Sequence, residues 1–137
     1  MILLINTIEK NKILVYVKNG TKISSEAFLG DYKASEKLLF VIDKLFKKNK
    51  LKLSGLKGII VINGLGSFTA LRIAISVANT LGYVYKVPVI DYLPLKDENI
   101  NVDKVFTVKS KELKRYKKTH LIMPVYERGA NITVKRK

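Results

Sequence analysis

The chain has 137 residues, 47% of them hydrophobic, with no cysteine, one histidine and a formal net charge of +15. That length holds one domain with a proper core rather than two, and the apolar content is that of a globule rather than a disordered chain. The missing cysteines exclude a disulfide framework and thiolate metal sites, and His120 alone does not make a histidine-based zinc site.

The charge reads in two ways. One is contact with nucleic acid or an acidic protein surface. The other is compositional: Lys greatly outnumbers Arg, the residue favoured for bidentate phosphate contacts, and Ile and Asn are plentiful, as an AT-biased coding sequence would give. No stretch reaches the roughly 18 apolar residues of a membrane span. The opening "MILLINTIEK" lacks the basic start and cleavage site of a signal peptide. A cytoplasmic protein without membrane contact is the expectation.

In chain order, the apolar run Ile2 to Ile5 suits a buried strand. Two strand-like runs follow around Asn19-Gly20, a dipeptide that accepts the positive φ of a hairpin turn, so three mostly antiparallel strands are expected between Ile2 and Phe28. "SEKLLFVIDKLFKKNK" changes period. Leu38, Val41, Ile42, Leu45 and Phe46 recur at helical spacing, with Asp43, Lys44, Lys47 and Lys48 opposite. Phe40 falls on the polar side, either incidentally or to touch a partner. "GIIVI" is a second buried strand.

The next helix, from about Ser67 to Leu81, has an over-wide apolar arc. Phe68, Leu71, Ile75 and Ala78 form one face; Ala70, Ile73, Ala74, Val77 and Leu81 form another beside it. Only Thr69, Arg72, Ser76, Asn79 and Thr80 are left as a polar strip. A surface helix needs a narrower stripe, so this one must bury two sides, against the first helix or a partner subunit. "VPVIDYL" gives another short strand, with Pro88 at its start. Beyond it, "KDENINVD" reads as a connection, "KVFTVK" as an edge strand, "SKELKRYKK" as a short basic helix or loop, and "LIMPVY" as a last apolar run before a basic tail. The order predicts an α/β fold, a mixed sheet with flanking helices of the ribonuclease-H-like or actin-like kind.

Chemistry is sparse. The turn at Gly64 and Gly66 lacks the Gly-Lys-Ser/Thr of a phosphate loop and the third glycine of a dinucleotide fingerprint. Ser67 or Thr69 can cap the helix, and the turn either attracts an anion or only bends the chain. A ribonuclease-H-type metal pair needs a carboxylate on the first strand, where Asn6 stands; Glu9 and Asp91 are too few to replace it. An actin-like phosphate turn needs glycine between the first two strands, where "NTIEKNK" has none and Glu9 would repel phosphate. Ser67 as a nucleophile has only His120 as a base, without G-x-S-x-G spacing. No enzymatic reading and no cofactor follow from these residues.

The residues do resemble a family. "ILLINTIEKNKILVYV", "SEKLLFVIDKLF" and above all "GLGSFTALRIAISVANTLGYVYKVPVI" are similar to the first hairpin, first helix and signature of the TsaB/YeaZ proteins, and "MPVYERGANITVKRK" resembles their C-terminal segment. Gly64, Gly66, Ser67, Phe68, Thr69 and Arg72 match the signature turn. Asn6, Leu65 and Ala70 depart from the usual Asp, Pro and Gly, and Ala34 stands where many members have His.

The resemblance implies an actin-like subdomain over residues 1–93. It implies a much reduced second subdomain with a basic tail over 94–137. It further implies a non-catalytic dimerisation subunit in the synthesis of threonylcarbamoyladenosine in tRNA. The implied partner is a TsaD-like catalytic subunit, held through the first two helices, with a TsaE-like ATPase joining at the junction and tRNA reached indirectly. Leu38, Leu39, Ile42 and Phe46, with Ala70, Ala74, Val77 and Leu81, are the candidate contacts, core packing being their alternative. The same faces could form a homodimer in isolation. A direct RNA-binding module using Lys109–Lys118 and the tail Lys135–Lys137 is the rival reading, and it predicts steep salt dependence.

Overall fold

Strand-forming runs dominate the first third of the chain, and the computed structural model, which describes residues 1–30, 34–116 and 120–125, folds them as expected. β1 (Ile2–Asn6), β2 (Lys12–Asn19) and β3 (Lys22–Leu29) form an antiparallel meander. Asn19 pairs with Lys22 across a two-residue turn in which Gly20 takes φ +67°. Glycine at the first central position is what a primed hairpin turn demands.

α1 (Ala34–Lys48) then returns the chain, and β4 (Gly58–Ile62) enters parallel to β1. α2 (Phe68–Tyr85) leads to β5 (Val89–Tyr92), parallel to β4. The five-stranded sheet has the order β3-β2-β1-β4-β5. β1 and β4 are buried on both faces, so their continuous apolar sequences suit central strands.

Alternation along the strands divides the core. Leu3, Ile5, Ile13, Val15, Val17, Ile59, Val61 and Val89 face α1 and α2. Leu4, Ile60, Ile62 and Ile90 face the opposite way and meet Val105, Phe106 and Leu113 of α3 (Val102–Leu113). Each such side chain, fully buried, contributes about 1.5–3 kcal/mol.

α3 corrects the expectation for "KVFTVK": this stretch is helix, not edge strand. Val102, Val105, Phe106 and Leu113 share a helical face against the sheet, and Asn101 caps it by accepting from the Lys104 N–H at 3.1 Å. Packing overrides the strand preference of Val, Phe and Thr. α3 also takes in the first residues of "SKELKRYKK"; Lys117, Lys118 and the tail from Tyr126 onward lie outside the described residues.

Residues 120–125 meet β5 at its start, where the Val89 N–H donates to the His120 carbonyl at 2.7 Å. Among the described residues no helix is long and apolar enough to cross a membrane.

Candidate functional site

In open parallel sheets ligands bind beyond the C-terminal ends of the strands. Here those ends carry Asn6 and Thr7 after β1, the turn 63–67 after β4, and Asp91 near the end of β5. Asn6, in place of a catalytic carboxylate, turns inward and its Oδ1 accepts from the Ile8 N–H at 3.0 Å. It fastens its own turn, as Asn side chains do.

Gly66 (φ +93°) lies against that turn; a Cβ on it would stand 2.7 Å from Ile8 Cα and 2.9 Å from the Ile8 carbonyl oxygen. The two turns therefore meet backbone to backbone at the place where an actin-like fold would cradle a phosphate. Of the two cap candidates, Ser67 is the N-cap of α2, its Oγ accepting from the Ala70 N–H at 3.4 Å, while Thr69 lies within the first turn.

The residue that sequence reasoning missed here is Asn63, fully buried just after β4. Its Nδ2 donates to Asp91 Oδ2 at 2.8 Å and to the Met123 carbonyl at 2.9 Å. Its Oδ1 accepts from the N–H groups of Gly64 at 2.8 Å and Val125 at 2.9 Å. Asn79, read as part of a polar strip, instead grips Ile122: Nδ2 donates to the Ile122 carbonyl at 2.8 Å and Oδ1 accepts from its N–H at 3.1 Å. Two amides thus clasp residues 122–125 to the signature turn and to α2. An amide fits because each partner segment offers both donors and acceptors.

Beyond β5, the Tyr92 hydroxyl donates to Glu98, whose other oxygen accepts from the Leu95 N–H at 2.9 Å. That hydrogen bond, then burial, then the Glu98 charge raise the Tyr92 phenol above its ordinary 10.0. A raised phenol favours the fold below the ordinary tyrosine value, and the benefit is lost as pH rises through the raised one. Phenolate absorbance should show two tyrosines titrating late, Tyr92 and Tyr16, the latter raised by burial and then by the Glu9 charge, and Glu98→Gln should bring Tyr92 alone back toward 10.

The candidate contact residues separate into two groups. Leu38, Ile42, Phe46, Ala70, Ala74 and Leu81 are buried in this chain's own core, with Leu38 and Ala74 at 0% exposure. For these residues the structure shows the alternative left open above, core packing, with the wide apolar arc turned onto the sheet and the neighbouring helix. Leu39 is 50% exposed and Val77 half-buried.

Among the charged and polar residues on the outer side of this helical layer stand large exposed apolar ones: Phe40 is 56% exposed, Phe68 53%, Tyr83 72% and Val84 57%. α1 presents Lys44 and Lys48 to Glu26 of β3, at 3.4 and 3.6 Å. The wheel therefore turns Leu39 toward α2. α2 holds Ile122 through Asn79, which turns Ile73, Val77 and Val84 toward α1. Leu39, Ile73, Val77 and Val84 thus border the outer groove between the two helices. Arg72 lies with its guanidinium 5.4 Å from the centre of the Phe68 ring, and with Thr69, Ile73 and Ser76 it lines a shallow depression on α2.

A model of the family described as TsaD, tRNA N6-adenosine threonylcarbamoyltransferase, matches residues 32–92. No curated protein matches the chain. Among solved structures it is similar to YeaZ from Pseudomonas aeruginosa, at 22% identity and a TM-score of 0.65. It is also similar to an uncharacterised protein with similarity to peptidase YeaZ from Pseudomonas aeruginosa, at 22% identity and 0.66. Each match covers 80% of this chain and 49% of the other, so the chain spans about half the length of the structures it matches. The actin-like mixed sheet expected from the order of elements is the fold of this chain.

Proposed function

Starting from a chain that carries the YeaZ fold, we propose that it is a non-catalytic scaffold that pairs with a TsaD-like catalytic subunit in threonylcarbamoyladenosine synthesis on tRNA. The observation that carries this reading is the set of large apolar side chains exposed on the outer side of the α1–α2 layer. Large side chains there are at least half exposed over a well-filled core, and such patches on a soluble domain mark partner surfaces.

The non-catalytic half of the reading is supported by Asn6, committed to its own turn, and by Gly66, packed on the Ile8 backbone. Among the described residues no three His, Cys, Asp or Glu side chains gather as a metal site. In this reading residues 94–137 stand in for a reduced second subdomain. A TsaE-like ATPase joins at the junction, the modified adenosine of tRNA is presented to the catalytic subunit within the complex, the complex works in the cytoplasm, and the isolated chain self-associates through the same face.

The contact set follows the exposed residues. Leu39, Phe40, Ile73, Val77 and Val84 meet the partner's helices, and Leu38, Ile42, Phe46, Ala70, Ala74 and Leu81 support them from beneath. Co-purification with the TsaD-like protein of the same organism tests this. Wild type should form a complex that persists in salt. Leu39→Asp with Val84→Asp should abolish it while leaving the circular dichroism and melting curve unchanged, because both side chains are exposed. Absence of a wild-type complex at low and moderate salt would overturn the scaffold reading.

A further inference from the structure

The charge of the molecule is sorted by the fold. β1, β3, β4 and β5 run toward one end of the sheet, while α1, α2, α3 and β2 run toward the other. That second end therefore gathers the β2–β3 turn, the three helix C-termini and the links into β4 and β5. It collects Lys18 and Lys22 beside the turn, Lys52 and Lys57 on the way into β4, Lys86 after α2 and Arg115 after α3. Contacts tie these segments together. The Lys57 N–H donates to the Met1 carbonyl at 2.8 Å, and Leu113 packs so tightly on Gly58 that a Cβ there would stand 2.7 Å from its side chain.

Among the described residues, carboxylates are scarce at this end. Glu112 is occupied by Lys109 at 2.8 Å. Asp43 pairs with Lys47 at 3.0 Å, and Glu26 lies between Lys44 and Lys48. Glu9, Asp91, Asp97, Glu98 and Asp103 are all toward the opposite end, beyond β1 and around β5. Burial and then the Lys57 charge hold the Met1 amino group below its ordinary 8.0.

Lysines at helix C-termini complement the helix dipole, which accounts for Lys47, Lys48 and Lys111 without any ligand. It does not account for Lys18, Lys22, Lys52 and Lys57, which lie on strands and links. Five strands at about 4.8 Å spacing span about 19 Å, long enough to face several phosphates of one nucleic-acid strand.

We propose that this basic end is a docking surface for the phosphate backbone of RNA. The phosphate chemistry is argued from the charge distribution alone; the choice of RNA rests on the function proposed above. The surface is built mainly from Lys rather than the bidentate Arg of sequence readers, so it holds the backbone without reading bases. It lies away from the signature turn, at the opposite end of the strands, so RNA and the strand-end turns do not compete for space.

The test uses the full chain, an unmodified tRNA transcript and fluorescence anisotropy over a salt series. Wild type should bind with a steep salt dependence. Lys22→Glu/Lys52→Glu/Lys57→Glu should weaken binding at least about tenfold and reduce the salt slope by about two to three. Lys10→Glu/Lys96→Glu/Lys104→Glu, at the opposite end, applies the same change in net charge and should stay within about threefold of wild type.

Equal losses in the two variants would overturn the proposal, leaving only diffuse attraction to a cationic protein. So would loss of binding on deleting residues 126–137 with none in the first variant, or binding to phosphatidylserine vesicles in place of tRNA. Co-purification of the first variant with the TsaD-like subunit, measured separately, distinguishes failure of this surface from failure of the scaffold.

Discussion

Gly66→Ala is expected to lower the thermal unfolding midpoint by on the order of 10 °C. Two costs add. A non-glycine residue at φ +93° pays backbone strain of about 1–2 kcal/mol. The methyl would also meet the Ile8 backbone at 2.7–2.9 Å, and backbone gives way less easily than the end of a side chain; overpacking of this kind costs about 1–3 kcal/mol. Gly20→Ala is the control, since Gly20 has φ +67° with open space around it and should show the strain alone. If the two variants melted together, the contact between the two turns would carry no energy. Gly64 should fall between them, because the nearest atom to a Cβ there is the flexible Leu93 side chain at 3.1 Å.

Asn63→Ala is expected to cost about 3 kcal/mol in urea unfolding, through the loss of four hydrogen bonds made by a fully buried amide. The loss should be local before it is global. The Val125 amide, which donates to Asn63, should lose hydrogen-exchange protection, while the Ile122 amide, which donates to Asn79, keeps most of its own. Asn63→Asp should be no milder than alanine. It keeps the acceptor side but sets a carboxylate opposite Asp91 and removes both donated bonds. Equal protection of both amides in the alanine variant would show that Asn79 and packing hold the segment alone.

Much of the fold was legible. The hairpin at Asn19-Gly20, the period of α1 and the unbroken apolar runs of β1 and β4 are local signals, and each element formed where its own residues asked. α3 was not, because "KVFTVK" satisfies a strand pattern over six residues and shows its helical period only when Val102 and Leu113 are included. The cap at Asn101 and Asp103 in the first turn were the signals available. The clasp was hidden for a different reason: Asn63 and Asn79 find their partners 43 to 62 residues away, and nothing near them in sequence points there. The breadth of the apolar arc on α2 was readable; which part faced the sheet was not, since a wheel has no direction until the neighbours are known. The basic end is assembled from separate segments and has no signature in any one of them.

The clasp also sets an order of events during synthesis. All five strands are complete once Tyr92 has been added, but α3 is complete only 21 residues later (113 − 92) and Val125 is added only 33 residues later (125 − 92). At about 5–20 residues per second, that leaves a few seconds in which the face later covered by Val105, Phe106 and Leu113 is bare and the edge of β5 is open. A nascent chain at this stage is a nearly finished sheet with one sticky side, the kind of surface that ribosome-bound chaperones shield. The last few residues to lock in place, rather than the first strands to form, decide whether the chain leaves the ribosome as a closed domain.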